Sequence, residues 1–362
     1  LRFSDAEFSD LLTAPASAPV FAAINGVEGA LVAVPGYTAA TLQSGVAFGQ
    51  PASGVRPDAL EFPGLDAFVL VDGADAPRFA PVAGGEVTGA LTAPEVRELL
   101  GQALKVANRT RAQIRRPLSS RARVTISVVD SQGVVLGIVR SRDAPVFGID
   151  VSLQKARTAA LLSSASAGAA LTGLPGAVYL DGGLSVLATS APGDYVTAAQ
   201  GFLDLPAAFT DGTVAFSTRT AGNLARPFYP DGADGRTAGP FSKAFAAWSP
   251  FSTGLQLDVV YNAMIQHVGF VLGVASDVAP NCAGVSGFDS GFVASAPISV
   301  LANGLQIFPG GVPVYRGTSL VGALGVSGDG VDQDDMIAFL GVAEAGAALG
   351  TLGNAPENVR SD

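Results

Sequence analysis

The sequence predicts a mixed α and β fold in which helices and β-hairpins alternate, and three observations carry that reading. One stretch in the first third of the chain, "LTAPEVRELLGQALKVANRTRAQI", repeats apolar residues at helical spacing. Two stretches far apart, "ARVTISVVDSQGVVLGIVRS" and "GGVPVYRGTSLVGALGVSG", have the apolar runs and central turn residues of hairpins. Each is followed by a segment of helical length and pattern. The order is helix, hairpin, helix, long excursion, hairpin, helix, with no tandem repeat.

The first helix is announced by Thr92 and Glu95, the spacing of a capping box, and continues through Val96, Leu99, Leu100, Ala103, Ala107 and Ile114. In the hairpin that follows, Val124, Ile126 and Val128 alternate with other residues and "DSQG" supplies the turn. The next helix, "GIDVSLQKARTAALLSSA", places Val151, Ala156, Ala159 and Leu162 roughly on one side. Residues 1–90, rich in Gly, Pro and Ala, read as a β-rich or irregular N-terminal segment with short pieces such as "DAFVLVDG". From about 165 to 305 Gly, Ser, Pro and Thr dominate. That excursion reads as long loops with minor elements, including a short helix or strand at "LDVVYNAMIQHVGFVLGV". The second hairpin turns at "RGTS", and "QDDMIAFLGVAEAGAAL" is the last helix.

With 362 residues, 48% of them hydrophobic and 14% charged, the chain can bury a substantial core. Gly, Pro, Ser or Asp interrupts each apolar stretch before it reaches a membrane span. A net charge of −10 argues against general nucleic-acid binding. One cysteine, Cys282, forms no internal disulfide and leaves the redox compartment open. The start at Leu1 rather than Met leads to the expectation of a processed, secreted or periplasmic protein.

Three segments, "TISVVDSQGVVLGIVRSRDAP", "IDVSLQKARTAA" and "FPGGVPVYRGTSLVGALGVSGDGVDQDDMIA", resemble the GlcG/HbpS-type haem-binding family, also found as the C-terminal domain of PduO proteins. The last is the most specific, pairing a PGGVPV opening with a strand ending in GVSG and an acidic helix start. The resemblance implies an α+β domain over residues 91–362, with a central antiparallel β-sheet flanked by helices and the excursion at about 165–305 as an insertion. It also implies haem as a ligand and a homo-oligomer. A structural or accessory subunit of a larger protein complex is the alternative role.

Several groups could carry chemistry. Asp329, Asp332, Asp334 and Asp335 crowd the start of the last helix. Asp332 at the N-cap with Asp335 three residues on is the simplest account. A divalent cation such as calcium on Asp329, Asp332 and Asp334 is the second, although the DxDxDG spacing is missing. His267, the one histidine, could be a structural residue, an axial haem ligand or a base, and Met264 is a second candidate ligand. Being one helical turn apart, they cannot ligate a single iron from opposite faces. Six arginines between Arg109 and Arg123, with Arg115 and Arg116 at their centre, form either a solvated helix end or a patch for carboxylates, including haem propionates. No GxSxG elbow, GxGxxG turn or phosphate loop occurs, so catalytic machinery is not evident.

Overall fold

The computed structural model describes residues 46–181, 185–247, 254–277 and 299–361. Its centre is the pairing of the two hairpins. Strands β1 (Val55–Pro57), β2 (Phe68–Leu70), β3 (Val124–Val129), β4 (Val135–Arg140), β7 (Gly311–Arg316), β8 (Ser319–Gly328) and β9 (Gly353–Asn354) form one sheet in the order β1-β2-β4-β3-β8-β7-β9. Every pairing in it is antiparallel. The seam is β3 on β8, running from Val124 opposite Gly328 to Val129 opposite Ala323. Residues about two hundred positions apart therefore become neighbours. β1 and β2, from the N-terminal segment, extend one edge.

The turn chemistry works as its residues dictate. Arg316 pairs with Ser319 across a two-residue loop whose first member, Gly317, has φ +61. A left-handed residue there is what a tight hairpin with right-handed twist requires. In the other hairpin the Asp130 carboxylate accepts from the backbone amides of Gln132 and Val134, closing the turn.

Side-chain alternation then assigns the two faces of the sheet. Val124, Ile126, Val128, Leu324, Val326, Val312 and Val314 face a layer of two helices, α1 (Ala93–Arg109) and α7 (Val331–Leu349), in the main core. Removing one such side chain, as in Leu100→Ala, would cost about 2–5 kcal/mol. The opposite face carries Thr125, Ser127, Val129 and Ala323 and is covered by α2 (Gly148–Leu162). α2 lies so close that a Cβ at Gly325 would collide with the Ser152 carbonyl oxygen. Small residues, Ala156, Ala159 and Ala160, line this contact, and Ser127 and Ser152 share a 2.7 Å hydrogen bond within it.

The capping box at the start of α1 is formed. The Glu95 amide donates to Thr92 Oγ1 and the Thr92 amide to Glu95 Oε2. Glu95 also receives both Nη groups of Arg316, at 3.0 and 3.1 Å, and the Thr351 hydroxyl. Burial alone would raise its carboxyl, yet these donors hold it down at about 2. One carboxylate thus ties the helix start to the β7–β8 turn.

Between its loops the excursion carries α3 (Ala167–Thr172), β5 (Ala177–Leu180), β6 (Val186–Ser190), α4 (Pro192–Leu203), α5 (Thr218–Leu224) and α6 (Leu255–Val271). α6 is a 17-residue helix where the sequence pattern left helix and strand open. These elements gather Phe209, Phe216, Leu224, Phe241, Leu255 and Val259 into a second core against the end of α2. Frequent Gly and Pro hide that core from a periodicity reading because its apolar residues come from short, unconnected pieces. The excursion also carries the aromatics Phe241, Phe245, Trp248 and Phe251, of which Phe241 is buried, Phe245 is exposed, and Trp248 and Phe251 lie outside the described residues.

Candidate functional site

The acidic start of α7 differs from the N-cap expected at Asp332. The cap residue is Gly330, in extended conformation and without a side-chain capping bond, so Asp332 and Asp334 fall within the first turn. β8 runs to Gly328 and passes directly into the helix, which leaves the carboxylates free to reach cations elsewhere in the chain. Asp329 is fully buried on Arg115 Nε at 2.7 Å and accepts from the Arg123 amide. Arg219 binds Asp332 through Nη2 and Asp335 through Nε.

Asp334 is held by Lys155 of α2 at 2.9 Å, with the two side chains only 2% and 1% exposed. Lys155 Nζ also donates to the Val326 carbonyl. Gly310, at φ +123, closes this chamber, since a Cβ there would sit 2.9 Å from Asp334 Cβ and 3.0 Å from Lys155 Nζ. Burial pushes the Asp334 carboxyl up to about 6, against the pull of Lys155, and burial likewise lowers Lys155. Among the described residues no group of three His, Cys, Asp or Glu converges as a metal site. Asp329 Oδ1 and Asp334 Oδ1 are buried without a hydrogen-bond partner. Two such oxygens fall well short of the six or so that calcium takes, and Asp332 is turned away to Arg219.

Half of the arginine run is paired with acids of the fold. Arg109 pairs with Glu344 of α7, Arg123 with Asp66, and Arg115 with Asp329 and Asp143. Arg116 is exposed. The acids that neutralise the run are remote in sequence, which is why the run reads as an unpaired patch on its own.

Beside the start of α7 a cleft of about 330 Å³ opens between α5, β7, β9 and the segment 355–361. Val312, Pro313, Ala355 and Phe339 give it an apolar floor, and Arg219, Arg360 and Asp335 line its rim. It contains no His, Met, Cys or Tyr.

His267 and Met264 lie elsewhere, on α6, which packs on β5 and α4. Met264, His267 and Val268 share a helical stripe, and all three are exposed, as are Phe270, Leu272 and Val274 beyond them. His267 Nδ1 is 2.7 Å from Asp277 Oδ1, and the Phe270 ring centroid is 6.0 Å from the imidazole. The four proposed haem contacts are thus divided between two places: His267 and Met264 on the second core, Arg115 and Arg116 beside the main sheet.

One cluster escaped the sequence reading. Asp258 of α6 accepts hydrogen bonds from Tyr179, Ser190 and Tyr195, the last at 2.5 Å, and pairs with Lys243 at 3.2 Å. Lys243 also donates to Ser190 at 3.0 Å, a contact that suggests an activated serine. Burial would lower Lys243, but Tyr195 and Asp258 hold it above its ordinary value, which favours the charged form that pairs with Asp258. The cluster anchors α6 to the β5–β6 hairpin. Its members come from four separate elements and one connecting segment, and show no local motif.

The family described as "Haem degrading protein HbpS-like" matches residues 100–202 and 274–343. The chain belongs to the HbpS-like family through these segments. They cover most of α1, both hairpins with their seam, α2 and the first part of α7; α5, the whole of α6 with Met264 and His267, and Asn354–Ser361 fall outside them. Among solved structures, a PduOC–haem complex is similar at 14% identity and TM-score 0.29, covering 74% of this chain and 99% of that one. The Klebsiella pneumoniae protein ORFY, a DUF336 protein, is similar at 18% identity and TM-score 0.32, covering 72% and 92%. No curated protein matches the chain.

Proposed function

We propose that this HbpS-like chain binds haem, with His267 of α6 as the iron ligand. The family description supplies the ligand class. The observation that carries the assignment is the contact of His267 Nδ1 with the Asp277 carboxylate. A carboxylate at Nδ1 fixes the tautomer in which Nε2 holds the lone pair, the arrangement that metal-bound imidazoles use. Met264, Val268 and Phe270 give the same region of the helix an exposed apolar surface suited to a porphyrin. The cleft beside α7 supplies no side chain of the types that ligate haem iron, which favours α6. When bound, haem would supply redox chemistry at iron; the chain's own part is to ligate through His267, orient that ring through Asp277, and shield the porphyrin with Met264 and Val268. Arg115, held by Asp329 and Asp143, has no part in this proposal.

Titration with haemin tests it. A saturable Soret band is expected for the wild-type chain and for Met264→Ala, and its loss or marked shift for His267→Ala. A band unchanged by His267→Ala would reject the ligand assignment, and no uptake by the wild type would reject haem. Bleaching of the bound pigment by ascorbate in air distinguishes a degrading protein from one that only binds. Self-association belongs to the same reading, favoured by Val146 and Phe147, adjacent to each other and 78% and 58% exposed ahead of α2. Light scattering measures it directly, and a monomer at all concentrations would contradict it.

A further inference from the structure

The cleft beside α7 offers a second binding site, independent of the haem reading. Its lining holds two arginines against one carboxylate. Asp335 accepts Arg219 Nε on one oxygen and the Gly310 amide on the other, so both its oxygens are occupied, with Arg219 shared between it and Asp332. Arg360 has no acid partner among the described residues; its Nε donates to the Ala355 carbonyl at 3.0 Å, and both Nη groups remain to face a ligand. A guanidinium with two free Nη groups suits a carboxylate held by paired hydrogen bonds. Behind it lie Val312, Pro313 and Phe339, which can take an apolar body, and the volume of about 330 Å³ is at the small end of ligand pockets.

Asp335 on the rim opposes a second negative charge, so a singly charged anion fits better than a phosphate dianion. The two arginines come from segments outside the family match, whereas Val312, Pro313, Asp335 and Phe339 come from within it. The site therefore combines residues inside and outside the matched segments. We infer that this cleft binds a small monocarboxylate with an apolar, ring-sized body, gripped by Arg360.

Calorimetric titration of the full chain with benzoate, benzyl alcohol and phenyl phosphate tests this, alongside Arg360→Gln. Saturable benzoate binding, weakened about tenfold or more in Arg360→Gln and absent for benzyl alcohol, is the expected result. Arg360 is exposed, so the variant should keep the wild-type melting temperature. Binding of benzoate to Arg360→Gln with unchanged affinity, or benzyl alcohol binding as well as benzoate, would overturn the role of the guanidinium. Tighter binding of phenyl phosphate would overturn the choice of a monocarboxylate. Failure of benzoate to bind at millimolar concentration would overturn the site itself.

Discussion

The start of α7 and the exposed face of α6 make opposite use of polar side chains. At α7 the carboxylates are dense in sequence, and each of the four lies against a cation contributed by another element: Arg115, Lys155 or Arg219. On α6 the candidates are sparse, one histidine and one methionine, yet both project from an open apolar surface. Density of charge marks the place where the chain is held together; sparse groups left exposed mark where it can meet something else. The difference follows from desolvation, because a buried charge must be matched within the fold, whereas an exposed imidazole incurs no such demand.

The largest expected effect is at Lys155. Lys155→Met leaves Asp334 buried without its cation and should lower stability to urea by about 3–5 kcal/mol. Adding Asp334→Leu should recover most of that loss, and a double variant no better than the single would show that Lys155 has another role. Next is Glu95, whose carboxyl in the folded chain sits at about 2 rather than its ordinary 4.5. A depressed carboxyl contributes stability that is complete above 4.5 and disappears as pH falls toward 2. The span corresponds to about 3 kcal/mol, and Glu95→Gln should flatten that part of an acid-unfolding curve. Arg115→Met, which strips Asp329 of its partner, should cost about 1.5–3 kcal/mol in the same assay.

On α6 the pattern should invert. Asp277→Asn should change stability by no more than about 0.5 kcal/mol, since both partners are exposed. It should nevertheless weaken haem binding roughly 10- to 100-fold, the scale on which partners of metal ligands act. A large stability loss there would erase the contrast between the two regions.

What could be read from the sequence divides along the same line. Thr92 with Glu95, the turns at "DSQG" and "RGTS", and the apolar repeat of α1 are local, so propensity and spacing expose them. The β3–β8 seam was reachable only through the family resemblance, because nothing in "TISVV" says that "ALGVSG" lies beside it. Asp332 has the spacing of a cap, and only the extended Gly330 preceding the helix reveals that the cap is elsewhere. The pairing of Lys155 with Asp334, and of Asp258 with Lys243 and two tyrosines, depends on tertiary approach and leaves no periodic trace. His267 and Met264 could be named from their types, but their exposure and the neighbour Asp277 became visible only in the fold.

Because His267 is the one histidine in the sequence, isotopic labelling of histidine reports on that side chain alone. Resonance Raman spectroscopy of the ferrous haem complex, prepared with natural and with ¹⁵N-labelled histidine, would show whether the imidazole holds the iron. The account predicts an iron–nitrogen stretching band that moves to lower frequency with the label. A spectrum identical in the two samples would contradict it.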